Sequence, residues 1–460
     1  MEVYDFPKIN KNLPLDHPDV EPYLRDHQRR TQEAIKRIAG FDEARSVLPG
    51  NFDGLEGPPL NALKYHHLEW ITQGCTDFIE QHKNRPFYFA MYPTVIHGPV
   101  ITKSIKRPLS YTPEGKQPKL ERFKSQREGI FKTLKRLKSK DHYRHSGVIW
   151  LDQQVQRVVE CLKKNKILDN TIIVIAPDHN IEPGKATVYE KGGRIPMIFS
   201  WQGRFKQNQK SELMVQLVDL LPTFRDAAGA PFSKAELQEK KLDGQSFLPA
   251  LMGKSNSNER EDIYSEFGFT RGIRAKIDGQ DYKYVAWRFP KSIVSKMIKQ
   301  TGYSTERPMT FEEVREKSHL PEFRAPNHLN MPTAHQPKFT ANLYPAYYKP
   351  DQLYRLNDSA EQNNLADSPE YSEILKLLKN RLKKYTQRFD HSFDIDGKKS
   401  DPNGFMQSRL YQAMVLNTID HYRKTETAPY WYSGKKWPPE LETQFPDHEN
   451  WPPIMPIKAQ

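Results

Sequence analysis

Cysteine is scarce in this chain: Cys75 and Cys161 are the two in 460 residues. Two thiols make neither a disulfide framework nor a cysteine metal cluster, and both stand in apolar, helix-like contexts that fit buried structural thiols. No run of eighteen apolar residues occurs, so no membrane-spanning helix is expected. The opening segment, MEVYDFPKINKNLPLDHPDVEPYLRD, has no basic stretch followed by an apolar one. No secretory signal is therefore legible, and the compartment stays open. What is present is a globular composition, with 37% hydrophobic and 11% aromatic residues, enough for one large core or a core with a smaller companion. The 36 prolines predict many loops.

The formal charge of +13 is unevenly placed. Residues 101–140 hold thirteen Lys and Arg against three Glu, a balance of +10. Such a run is either a solvated face or a surface that gathers polyanions.

From residue 65 to 230 helix-like and strand-like segments alternate. HHLEWITQGCTDFIEQHK places Leu68, Ile71, Cys75, Phe78 and Ile79 on one helical stripe. PFYFAMY (86–92), bounded by Pro86 and Pro93, reads as a buried strand. HSGVIWLDQQVQRVVECLKKNKIL repeats apolar residues at helical spacing through Val148, Leu151, Val155, Val158, Val159 and Leu162. TIIVIAP (171–177) and PMIFSW (196–201) are β-rich runs without alternation, as in parallel strands covered on both faces. SELMVQLVDLLPTFRDAAG predicts a helix ending at Gly229. The fold class expected is α/β, with a mostly parallel central sheet flanked by helices. After Gly253 short strands (IYSEFG, RGIRAKI, YKYVAWRF, QLYRL), a hairpin turn at DGQ and one amphipathic helix, PEYSEILKLLKNRLKKYTQRF, predict a small α+β subdomain. The expected domains are residues 1–260, residues 261–390 with a Pro-rich insert at 289–350, and an aromatic, polar tail at 391–460 carrying Trp431, Trp437 and Trp451.

Ligands of open parallel sheets sit beyond the carboxyl ends of the strands. TIIVIAP runs into Asp178-His179-Asn180, PFYFAMY into a loop presenting His97, and Lys185 follows on the loop after Asp178. A carboxylate beside an imidazole suits a divalent cation, with oxygen favouring Ca²⁺ or Mg²⁺ and nitrogen favouring transition metals. A Lys and a His nearby suit an oxyanion. A lone Asp-His pair more commonly satisfies turn backbone, so order and context must decide.

Several consecutive segments resemble the sulfatase family of the alkaline-phosphatase-like superfamily. These are RPFYFAMYPTVIHGP, SGVIWLDQQVQRVVECLKKNKILDNTIIVIAPDHN, GKATVYEKGGRIPMIFSW, LVDLLPTFRDAAGAP with LDGQSFLPALMGK, and LYRLNDSAEQNNLADSPEYSEILKLLKNRL. The resemblance covers about residues 65–388, with gaps at 100–140 and 289–350. It implies sulfuric ester hydrolysis, with Asp178 and His179 as metal ligands for Ca²⁺ or Mg²⁺, and Lys185 and His97 as sulfate-binding residues. Arg194 matches a family arginine expected to support the fold, and Asp152 matches a family position to which no chemistry is assigned.

The family's earlier motifs are an acidic metal-ligand pair, a C/S-x-P-S/A-R formylglycine site and a GKWHLG-like string. None occurs in these 460 residues, and neither Cys75 nor Cys161 has the required neighbours. The expectation is therefore an N-terminally truncated sulfatase with an incomplete metal site, inactive as it stands and prone to poor folding, since its missing strand would leave apolar edges. The family is often secreted or periplasmic. A sulfated polysaccharide is the substrate suggested by the basic window, with Lys132, Lys135 and Arg136 as its test positions, and neither nucleic acid nor membrane is expected as a partner. Two other readings remain open, a phosphodiesterase or phosphatase relative on the same scaffold and a non-catalytic polyanion-binding protein.

Overall fold

A computed structural model describes residues 10, 13–48, 63–98, 100–180, 184–185, 187–254, 260–288, 344, 346, 349–358, 360–388 and 393–397. Most of the Pro-rich insert, and Trp431, Trp437 and Trp451 of the tail, lie outside them. The protein is mixed α/β and divides into two compact units, Met1–Ile173 with Ser200–Arg204, and Val174–Phe199 with Phe205–Gln460.

The first unit is largely helical. Helix α1 (Val20–Ala39) ends at Gly40, whose left-handed φ of 71° lets its N–H reach the Lys36 carbonyl. Its buried face mixes Val20, Leu24 and Ala34 with His27, Gln28 and Thr31. That polar content hides the helix from a purely apolar pattern. Helix α2 (Leu68–His82) and helix α5 (His142–Lys164) pack together, and α3 (Ile101–Ile105) and α4 (Lys124–Arg136) pack on α5. A two-residue-per-strand hairpin, β1 (Tyr111–Thr112) and β2 (Gly115–Lys116), precedes α4. Leu68, Val95, Ile101, Ile130, Leu134 and Trp150 form one core cluster.

The buried stripe of α5 differs from the expected one. Ser146, Trp150, Gln154, Val158 and Leu162 point inward at four-residue spacing, while Val148 is 49% exposed. The stripe follows Trp150, whose indole N–H donates to Glu69 at 2.7 Å. Arg127 closes the same network. It donates to both Glu69 oxygens at 2.9 and 2.6 Å and to the Ser104 and Arg107 carbonyls, and its guanidinium lies 4.9 Å from the Trp150 ring. One of the basic window's thirteen cations is thus a staple of the fold, whereas Lys132, Lys135, Arg136, Lys138 and Lys140 are exposed.

Residues 86–94 are extended but form no strand ladder, contrary to the expected buried strand. Phe87, Phe89 and Met91 pack against Ile79, Val158 and Leu162, while Tyr88 and Tyr92 face outward at 60% and 79% exposure. One face is covered and the other is not. The 171–177 and 196–201 runs are strands only at β3 (Ile173–Ile175) and β4 (Ile198–Ser200), which pair with each other. Ile175 and Ile198 are 36% and 58% exposed, so these strands lack the two-sided cover that their composition suggests.

In the second unit α6 (Glu190–Gly193) is a single turn. Helix α7 (Leu220–Ala227) begins later than expected, because a capping box between Gln216 and Asp219 starts a short 3₁₀ turn at Leu217, and Pro222 is tolerated only near a helix start. Residues 211–216 are accordingly not helical, and Gly229 (φ 73°) follows the helix end as expected. Helices α8 (Lys234–Glu239) and α9 (Leu248–Leu251) are short.

The C-terminal sheet matches the sequence closely. Strands β5 (Asp262–Phe267), β6 (Thr270–Ile277), β7 (Gln280–Trp287) and β8 (Asp351–Arg355) form an antiparallel sheet in that order. Asp278 and Gly279 make the two-residue turn with φ of 48° and 76°, the left-handed pair that a type I′ hairpin needs. Helix α10 (Ser372–Arg388) covers the sheet with Leu378 and Leu382, both fully buried with Ile273, Tyr284 and Leu353.

Candidate active site

Just beyond β3 the chain presents Asp178 and His179. The His179 Nδ1 lies 2.8 Å from the Asn180 carbonyl, so Nδ1–H donates and Nε2 is left with a lone pair. That Nε2 faces Asp178 Oδ2 at 3.3 Å, with side-chain exposures of 41% and 84%. Two acceptors facing each other require a proton or a cation between them. Two ligand atoms at right angles around a cation about 2.3 Å away lie about 3.3 Å apart, so the pair fits two adjacent positions of a Ca²⁺ shell. Among the described residues no third His, Cys, Asp or Glu joins them. The described residues therefore offer two adjacent ligand atoms to a cation.

The following loop is locked by glycine and by buried charge. Asn180 is tied to the far side of the loop, its N–H donating to Gly192 and its side-chain amide to the Arg194 carbonyl at 3.0 Å. Gly184 has φ 117°, and a Cβ on Gly192 would come within 2.3 Å of the Gly184 carbonyl oxygen. Only glycine allows these two backbones to touch. Thr187 donates to the same carbonyl at 2.7 Å. Lys185 rides on this knot, half-buried, with no ion pair or hydrogen bond to a described residue.

Downstream, Tyr189 is buried, stacks on Tyr344 at 3.8 Å and donates to Gln352 at 2.6 Å. Glu190 receives Lys283 at 2.7 Å and Arg274 at 3.1 Å, and its backbone N–H donates to Glu361 at 2.9 Å. Burial alone would raise the Glu190 carboxyl, but Lys283 and Arg274 outweigh it and hold it below the usual carboxylate range. Glu361, with zero exposure and a single lysine at 3.4 Å, is pushed upward by burial. Arg194, mostly exposed, lies 3.7 Å from Glu190. Lys283 and Glu361 were not legible as parts of the loop's anchor, since they stand about ninety and 170 positions away from it.

His97 belongs to the first unit, and Asp178, His179 and Lys185 to the second. Its N–H donates to the Thr94 carbonyl at 3.0 Å and its Nδ1 contacts the Gly98 carbonyl, which turns Nε2 away from the local backbone. The loop rests on the start of α5, where a Cβ on Gly147 would lie 3.1 Å from Ile96 and 3.2 Å from Val95. A separate cleft of about 610 Å³ in the first unit, lined by Trp70, Gln73, Asp77, Glu114 and Lys119 among others, contains none of these residues. Asp152 lies on α5, away from any of the named contacts.

Comparison with known proteins gives the same ordering. The Sulfatase family model matches residues 12–230, and the model of the N-sulphoglucosamine sulphohydrolase C-terminal region matches residues 184–289. An ulvan-active sulfatase of Formosa agariphila is 28% identical over 234 residues, 49% of this chain and 39% of that protein. The N-sulphoglucosamine sulphohydrolase of Homo sapiens is 28% identical over 245 residues, 51% of this chain and 45% of that one. The N-acetylglucosamine-6-sulfatase of Bos taurus is 33% identical over 131 residues, 27% of this chain and 22% of its own. A crystal structure of Ps i-CgsB with k-i-k-neocarrahexaose covers 90% of this chain and 76% of its own at 15% identity, with a TM-score of 0.46. The chain thus spans less than half the length of the curated relatives it matches. The two models overlap at residues 184–230 and together span residues 12–289, and with these relatives they support the chain's membership of the sulfatase family.

Proposed function

We propose that this chain supplies the oxyanion-holding residues and half of the cation site of a sulfuric ester hydrolase for saccharide substrates. The approach of Asp178 Oδ2 to His179 Nε2 at 3.3 Å, at the end of β3, carries this reading. Asp178 and His179 hold the cation, Ca²⁺ or Mg²⁺, through one carboxylate oxygen and Nε2. A cation bound there would polarise a sulfate oxygen. Lys185 would meet another sulfate oxygen as a point charge, and His97, within the first unit, is by itself a candidate hydrogen-bond partner for a sulfate oxygen through Nε2. The Gly184–Gly192 approach and the Glu190–Lys283 pair brace the backbone that carries Lys185.

A formylglycine motif is absent from these 460 residues, and among the described residues no side chain stands out as an activated nucleophile; burial pushes the Cys75 thiol up to about 12. The chain as it stands therefore binds sulfate esters without hydrolysing them. Saccharide sulfates are favoured by two relatives, one named ulvan-active and one an N-acetylglucosamine-6-sulfatase, and by the +10 window beside His97.

Calorimetric titration of the purified chain with 4-nitrocatechol sulfate tests the reading. Binding is expected to need Ca²⁺, to disappear with EDTA, and to weaken at least about tenfold in Lys185→Met and His97→Ala, the loss of a charged hydrogen bond. Affinity indifferent to chelator and to both substitutions would overturn the assignment. Turnover by the purified chain would overturn the inactivity.

A further inference from the structure

The thirteen cations of the basic window are not equivalent. Arg127 is internal, and the outer face of α4 carries Lys124, Lys132, Lys135 and Arg136 into open solvent. The turn from α4 into α5 differs, because it abuts the His97 loop within the same unit. A Cβ on Gly98 would lie 3.2 Å from the Tyr143 hydroxyl, and Gly147, one turn further along α5, underlies Val95 and Ile96. The residues flanking Tyr143 are Lys138, Lys140, Arg144 and His145. Against them stands one acid, Asp141, which caps α5 by accepting from the Arg144 N–H at 2.9 Å and lies 3.9 Å from the Arg144 guanidinium. Lys138 and Lys140 are exposed and have no ion pair among the described residues. His145 is held by Ser139 at 2.7 Å, which fixes the shape of the turn.

We propose that this turn, residues 138–144, is a second anion subsite beside His97, taking a neighbouring sulfate or carboxylate of a polymeric saccharide. The inference rests on the sulfate-ester reading for His97. It adds which part of the window reads the polymer, and why. Charge on the open face of α4 raises local polyanion concentration at long range and is screened within about 8 Å at physiological salt. Charge in the turn is tethered to the His97 loop through the Gly98–Tyr143 contact, so it acts when a second anion follows the first along one chain. A single-sulfate ligand reaches His97 without touching Lys138 or Lys140. An oligosaccharide with several anions meets both.

The test titrates the full chain with 4-nitrocatechol sulfate and with a heparin-derived hexasaccharide, at one fixed ionic strength. The K138E/K140E variant is compared with K163E, an exposed lysine near the far end of α5, about 30 Å along the helix axis from its first residue. K138E/K140E is expected to weaken hexasaccharide binding about tenfold or more and aryl-sulfate binding less than about twofold, with K138Q/K140Q between it and the wild type. K163E should change neither by more than about twofold. Hexasaccharide binding that is absent, unchanged in K138E/K140E, or equally reduced by K163E overturns the subsite. Aryl-sulfate binding that ignores His97→Ala instead removes the underlying reading, and with it the pairing of the turn with His97, whatever the turn does to the hexasaccharide.

Discussion

Removing Arg127 should cost the first unit more than removing any other cation of the basic window. The side chain is 8% exposed and its partner Glu69 1% exposed, at 2.6 Å. Arg127→Leu would leave the Glu69 carboxylate with Trp150 as its remaining donor and take one donor each from the Ser104 and Arg107 carbonyls. Breaking a buried pair by deleting one partner costs roughly 3–5 kcal/mol, chiefly from the stranded charge. At a urea dependence of about 3 kcal/mol per molar, the midpoint should fall by about 1.3 M. Glu69→Leu/Arg127→Leu removes both charges and should recover at least about 2 kcal/mol relative to the sum of the single variants. Lys135→Leu, on the exposed face of the same helix, should stay within about 0.5 kcal/mol. Urea unfolding followed by tryptophan fluorescence measures all four. A cost below about 1 kcal/mol for Arg127→Leu, or additivity in the double variant, would refute the network as the staple of this unit.

Two further outcomes follow from buried groups. Burial pushes the His67 imidazole from the ordinary 6.5 down to about 4, with the Arg127 charge acting the same way. The unfolded chain then takes a proton near pH 6.5 that the folded chain refuses until about pH 4, so stability falls as pH falls through that window, by at most roughly 3 kcal/mol. His67→Gln should flatten the profile between pH 7 and 4.5 in urea titrations, and an unchanged slope would exclude His67 as its source. Gly192→Ala should destabilise the Lys185 loop by about 1–3 kcal/mol and weaken aryl-sulfate binding, because its Cβ would meet the Gly184 carbonyl oxygen at 2.3 Å and Thr187 Oγ1 at 2.5 Å. Gly193→Ala, whose Cβ would meet nothing within 4 Å, is the matched control and should do neither.

The parts of the fold that were legible in the sequence are those where local pattern and tertiary cover agree. The β6–β7 hairpin shows both an Asp-Gly turn and alternation, and α10 shows one clean apolar stripe. Helix α1 escaped notice because half of its buried face is His27, Gln28 and Thr31, residues that earn their place by hydrogen bonding rather than by hydropathy. The stripe of α5 was misplaced for a related reason: Trp150 and Gln154 decide which face turns inward, and neither stands out beside six valines and leucines. PFYFAMY and TIIVIAP have strand composition, but composition cannot supply strand neighbours, and among the described residues the first joins no strand ladder. Within the candidate site, Asp178, His179, Lys185 and His97 were visible as polar residues after apolar runs. The groups that anchor them were not: Lys283 and Glu361 reach Glu190 only through the folded sheet.

The cation half-site is the central claim, and calcium binding tests it most directly. Calorimetric titration of the purified chain with Ca²⁺ should show one weak site, with a Kd near about 1 mM as befits two protein ligands. Asp178→Asn and His179→Gln should each abolish it, while Arg194→Gln leaves it intact. Calcium binding that survives both substitutions, or that never appears in the wild type, would contradict the account.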